Sequence, residues 1–150
     1  MKLNTASQVI SFSRKLEEDG ASFYESLARQ YTRDSEVLLG FARENRKNIM
    51  RVERAYYGAI TDALEGTFAF DINPDEYAIK TDAPQNVAYT DGISVANEME
   101  RKTAGFYNQA AEQAKSLLVD VLRVFLTMSR LRDDRQQKLA DLLNTRNLTK

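Results

Sequence analysis

The sequence predicts an all-α fold: one four-helix bundle made of two antiparallel helical hairpins joined by a long crossover. Three observations carry this reading. Both prolines, Pro74 and Pro84, fall in one central stretch, about residues 66–90, that holds turn-forming residues and lacks helical periodicity. On either side of it, apolar residues recur at alternating steps of three and four. The first half also repeats in the second, since Glu17 precedes Phe23-Tyr24 at the same spacing at which Glu100 precedes Phe106-Tyr107.

Local signals justify each element in turn. Thr5-x-x-Gln8 has the form of a capping box and opens helix 1, about residues 5–31. Asp34 is placed to cap helix 2, about residues 34–64, with Glu36 in its first turn. Helix 3, about 91–115, takes Thr90 or Asp91 as its cap, and helix 4, about 117–144, takes Ser116, with Asp120 near its start. Short links join helices 1–2 and 3–4, which makes each pair a hairpin, and the link from helix 2 to helix 3 is long. At 150 residues the chain suits a single domain spanning 1–150.

Composition narrows the chemistry. The chain has no Cys and no His, which excludes disulfides, thiolate zinc sites, Fe–S clusters and a Ser-His-Asp triad. A metal would have to be held by carboxylates, amides, Tyr or water, a donor set that suits hard cations and suits iron or zinc poorly. Lys and Arg number 21 against 22 Asp and Glu, so the formal net charge is -1 and no basic excess points to a nucleic-acid partner. The first twenty residues lack the apolar run of a signal peptide, and no window is apolar and long enough to span a membrane. These features point to a cytoplasmic protein without a nucleic-acid or membrane partner.

The predicted seams are apolar except near mid-helix. Helix 1 presents Ile10, Ser13, Glu17, Gly20, Tyr24, Leu27 and Tyr31, and helix 3 presents Ile93, Ala96, Glu100, Thr103, Tyr107, Ala110 and Ala114. Helix 2 presents Leu38, Phe41, Asn45, Asn48, Val52, Ala55 and Ala59, and helix 4 presents Leu118, Val121, Phe125, Met128, Arg132, Arg135, Leu139 and Leu142. One carboxylate interrupts each odd helix, and a polar pair at i, i+3 interrupts each even one. Tyr24 and Tyr107 are expected to pack in the core with a hydrogen-bonded hydroxyl. Tyr56-Tyr57 and Phe68/Phe70 are candidates for anchors under the crossover or for a subunit contact. The charged runs RENRK and RLRDDRQQK read mainly as solvated faces.

The segments LEEDGASFYESLA and MERKTAGFYNQAA resemble the first and third helices of rubrerythrin-type ferritin-like proteins, and FARENRKN and MSRLRDDR are similar to the second and fourth. The resemblance implies a ferritin-like bundle with one Glu on each odd helix and Glu-x-x-His on each even helix, six ligands that hold two irons. Glu17 and Glu100 match the odd-helix carboxylates. Asn45 and Asn48 stand where one Glu and His are implied, and Arg132 and Arg135 where the other pair is.

That departure changes the chemistry. Two Glu and two Arg sum to zero charge without a metal, and an entering cation meets two fixed guanidinium groups that no ordinary pH discharges. At an effective dielectric of about 20, a unit-charge pair at roughly 4 Å interacts by about 4 kcal/mol. The expectation is therefore a vestigial, metal-free centre with no cofactor and no catalytic residues. The chain would be non-catalytic, acting through its surface or through homo-oligomer formation, most simply a homodimer. The alternative, implied by the resemblance, is a di-iron oxidase, peroxidase or iron-handling protein of oxidative-stress defence. It would require Glu44, Asp133 or Asp134 to turn inward as replacement ligands.

Overall fold

The structure is a computed structural model that describes residues 2–61, 68–114 and 119–148. Among these residues it contains four α-helices: α1 (Ala6–Gln30), α2 (Ser35–Ala59), α3 (Tyr89–Ala114) and α4 (Val119–Leu148). Two short strands accompany them, β1 (Leu3–Thr5) and β2 (Phe68–Ile72). Helix α1 packs chiefly on α2, and α3 chiefly on α4, with α2 also meeting α4.

The helix ends show how the sequence sets them. Thr5 and Gln8 form the full capping box at the start of α1: the Gln8 N–H donates to the Thr5 hydroxyl at 3.2 Å, and Gln8 Oε1 accepts from the Thr5 N–H at 3.1 Å. Asp34 occupies the N-cap position of α2 without a side-chain capping bond, because a 3₁₀ turn over Thr32–Asp34 leads into the helix. Helix α2 stops at Ala59, short of the expected residue 64. Ile60 is extended (φ -76°, ψ 141°) at the head of a β-branched Ile60-Thr61 pair that favours extended backbone; residues 62–64 lie outside the described residues.

Helix α3 begins two residues earlier than the capping signals imply. The Ala88 carbonyl accepts from the N–H groups of Asp91 (3.0 Å) and Gly92 (3.1 Å), so Thr90 and Asp91 lie within the first turn and do not cap it. Packing accounts for the shift, since Tyr89 is buried and meets Tyr31 edge-to-face with ring centroids 5.2 Å apart. Asp91 still suits the positive end of the helix dipole. Ser116, expected to cap α4, lies outside the described residues, while Asp120 does sit in the first turn of α4.

The crossover holds more order than its composition suggested. β2 pairs antiparallel with β1, with Leu3 opposite Ile72 and Thr5 opposite Phe68 and an irregularity between them. Phe70 and Ile72 are buried while Asp71 between them is exposed, the alternation of a half-buried strand. Lys2 adds an ion pair to Asp71 at 3.1 Å. Beyond the strand the chain is held by side chains of the helices: the Ala83 N–H donates to Ser26 Oγ (3.0 Å), the Tyr31 hydroxyl to the Val87 carbonyl (2.6 Å), and the Tyr77 hydroxyl to Gln109 (2.6 Å).

The core comprises two apolar clusters. One gathers Val9, Leu16, Val52, Phe106, Phe125 and Met128; the other gathers Phe23, Leu27, Leu38, Phe41, Ile93 and Leu139. Along every helix the predicted polar interruption falls between the residues of these two clusters, and there the candidate site lies. Tyr56 and Phe70 are buried, whereas Tyr57 is 68% exposed.

Candidate functional site

All six predicted site positions are buried: Glu17 and Glu100 with no exposure, Asn45 likewise, and Asn48, Arg132 and Arg135 at 1–3%. Five of them form one hydrogen-bonded layer. Arg132 stands at its centre. One terminal nitrogen, Nη1, donates to both oxygens of Glu100, at 3.0 Å to Oε1 and 2.9 Å to Oε2, while Nη2 donates to Glu17 Oε2. Arg135 Nη1 donates to Glu100 Oε1 at 3.2 Å and to Asn45 Oδ1 at 2.6 Å. Its other terminal nitrogen reaches the half-exposed Glu44 at 3.6 Å. Asn45 completes the layer by donating from Nδ2 to the backbone carbonyl of Glu17 at 3.1 Å. Asn48 is buried but makes no side-chain hydrogen bond among the described residues.

The two tyrosines of the repeat join the layer in a crossed fashion. Tyr24, seven residues after Glu17, donates to Glu100 Oε1 at 2.5 Å; Tyr107, seven residues after Glu100, donates to Glu17 Oε1 at 2.8 Å. With the Tyr107 proton directed to Glu17, Ser13 donates to the Tyr107 oxygen at 2.9 Å. The position equivalent to Ser13 on α3 is Ala96, so Tyr24 lacks this support. Arg135 also lies over aromatic faces, its guanidinium carbon 4.9 Å from the Phe41 ring centre and 5.5 Å from that of Tyr24.

Gly20 makes room for the Asn45 contact, because a Cβ there would lie 2.6 Å from Asn45 Nδ2. Sequence periodicity places Glu17, Gly20 and Asn45 on facing seams but does not give this close approach. Nor does it give the Ser13–Tyr107 bond or the crossing of the Tyr–Glu partners. The heptad phase of Ser13 and the Glu-to-Tyr spacing of seven were the available signals, and both identify a shared face without identifying the partner.

Electrostatics divide the two acids. Burial pushes the Glu17 carboxyl above the usual carboxylate range, against the opposing pull of Arg132 and the Tyr107 bond. Burial alone would raise Glu100 too, but Arg132, Arg135 and the Tyr24 bond together outweigh it and hold that carboxyl below the usual range. Burial pushes both tyrosine hydroxyls well up, and each faces a carboxylate that adds to the effect, so both remain protonated donors. Burial opposes the charge on Arg132, yet Glu100 and Glu17 overcome it and shift the guanidinium further toward the charged form.

The donor set does not fit a di-metal centre. A guanidinium lies between the two carboxylates that would bridge or flank the metals, and it takes lone pairs on both. The replacement ligands do not turn inward: Glu44 is half exposed and engaged by Arg135, and Asp133 and Asp134 are exposed. Among the described residues no three His, Cys, Asp or Glu side chains converge in a metal-holding group. The arrangement instead does what a metal would do for two buried acids, which is to neutralise their charge and occupy their lone pairs. One polar atom of the layer is left over, since Arg132 Nε is buried without a partner.

Compared with known proteins, the chain is matched by no protein-family model, no curated protein and no solved structure.

Proposed function

We propose that this chain is a ferritin-like four-helix bundle of two antiparallel hairpins whose metal centre is replaced by an internal ion network, and that it acts through its surface and not by catalysis. The observation that carries this reading is the Arg132 guanidinium seated between Glu17 and Glu100. The hairpin arrangement draws support from the dominant α1–α2 and α3–α4 packing. It also draws support from the cross-links Arg14–Glu53 and Glu25–Arg46, in which position rises along α1 as it falls along α2. The repeated Glu and Phe-Tyr positions support the family reading.

The test is metal analysis of purified protein after anaerobic loading with ferrous iron and exposure to air. The expected result is no stoichiometric iron and no di-iron charge-transfer absorption. Retention of about two irons per chain, the family's loading, would overturn the proposal in favour of a di-iron oxidase or peroxidase.

A further inference from the structure

We propose that the outer face of α2 docks on an anionic lipid surface. The proposal names a partner for the surface role argued above and rests on that reading. Successive steps of four and three along α2 place Arg43, Lys47, Met50, Arg54 and Tyr57 on one stripe, with Arg51 beside it. All six are exposed, and Tyr57 and Met50, at 68% and 61%, are the two most exposed large hydrophobic side chains among the described residues. The stripe runs about 21 Å, at 1.5 Å per residue.

Its charge is uncompensated. Elsewhere on the surface, Arg14 pairs with Glu18 and Glu53, Arg46 with Glu25 and Arg101 with Glu98, while Arg29, Arg33, Arg123 and Arg130 are exposed without an ion pair among the described residues but do not gather four to one helix face. Arg43, Lys47, Arg51 and Arg54 make no ion pair or hydrogen bond among the described residues. The acids nearest in sequence do not offset them, because Glu44 is engaged by Arg135 and Glu53 by Arg14. Four free cations thus share one helix face in a chain whose net charge is -1.

A lipid surface satisfies both features of the stripe together. Four or more Lys or Arg side chains on one helix face suit anionic headgroups, while Met and Tyr suit the boundary between headgroup and acyl chain. The stripe is a ridge on the side of α2 away from the core, so its side chains can meet a plane at once. A nucleic acid would engage the cations and leave Met50 in water. No described helix is long and apolar enough to cross a membrane, so attachment would be at the surface. The sequence's lack of a spanning segment predicts no membrane-crossing helix and does not bear on surface docking.

Co-sedimentation with phosphatidylcholine vesicles containing about 30% phosphatidylserine tests the proposal, since a leaflet of that kind gives each nearby cation about a fivefold effect on partitioning. The full chain should bind these vesicles, should not bind pure phosphatidylcholine, and should lose binding as salt rises. R51E/R54E should weaken binding more than about a hundredfold, four unit charges at about fivefold each. M50S/Y57S should weaken it about tenfold while leaving the salt dependence in place. Circular dichroism of these exposed-site variants should match the parent. No preference for anionic over neutral vesicles, or binding that R51E/R54E leaves unchanged, overturns the proposal; so does binding to polyuridylate or to an acidic peptide without binding to vesicles. Iron loading reports separately on the metal-free centre: absence of vesicle binding leaves that reading standing, and iron uptake overturns it without touching the stripe.

Discussion

Glu17 and Glu100 occupy equivalent positions in repeated helices, yet their carboxyls are held unequally. Glu100 accepts from two guanidinium groups and Tyr24, whereas Glu17 accepts from one guanidinium and Tyr107. A buried ion network is not in itself a source of stability, but removing one member strands the rest. Glu100→Gln is expected to cost about 3–5 kcal/mol, because Arg132 and Arg135 lose their common partner. Glu17→Gln should cost less, about 1–3 kcal/mol, since Arg132 and Arg135 both keep Glu100 as their charged partner. Chemical denaturation measures both. The two deficits should move oppositely with pH. The depressed carboxyl of Glu100 stabilises the fold above the ordinary Glu value of about 4.3, and this contribution is lost as pH falls below it, so the Glu100→Gln deficit shrinks in acid. The raised carboxyl of Glu17 stabilises the fold below about 4.3, and this contribution is lost as pH rises through its folded value, so the Glu17→Gln deficit shrinks toward neutrality. Parallel trends in the two variants would refute the unequal assignment. The charged members of this layer were legible in the sequence because the heptad phase fixes which face each residue shares. Their pairing was not, because phase along a helix carries no information about which atom across the core accepts a bond.

At the scale of elements, the helices obeyed their local signals where nothing competed. The capping box of α1 formed as its residues dictate. The start of α3 did not follow Thr90 or Asp91, because burial of Tyr89 against Tyr31 extends the helix toward the crossover. The crossover itself was the least legible segment. Its order comes from long-range partners, β1 for β2 and helix side chains for the remainder, and composition within the segment does not report them. Ser26 illustrates the dependence. It sits on the buried face of α1, and its hydroxyl accepts from the Ala83 N–H. Ser26→Ala leaves that buried amide unpaired and should cost about 1–3 kcal/mol, with the fastest gain in hydrogen exchange at Ala83 itself. A variant as stable as the parent, with unchanged protection at Ala83, would show that the crossover is held by other contacts.

At the scale of the molecule, the polar layer divides two apolar clusters, and each helix contributes to all three. Restoring the resembled ligand set would require Asn45→Glu, Asn48→His, Arg132→Glu and Arg135→His together. That variant is expected to take up about two irons per chain, measured by metal analysis, because the two remaining acids already face each other across the bundle. Failure to bind iron while retaining helical circular dichroism would show that the bundle does not hold the spacing a di-metal centre needs. The crossed tyrosines carry one more consequence. Each Glu takes its hydroxyl donor from the opposite half of the chain, as the halves of a duplicated ancestor related by a two-fold axis would arrange them. A strictly symmetric ancestor, however, must bear the same pair on both even helices. Two copies of the Asn pair leave the two acids with a net charge of about -2, an invitation to a divalent cation, and two copies of the Arg pair leave about +2. Of the two pairs this chain carries, only one of each sums to zero with the two acids. Charge balance in this layer therefore rests on the two hairpins being unlike: the first brings an acid with no guanidinium of its own, the second brings one guanidinium more than it has acids, and each supplies what the other lacks.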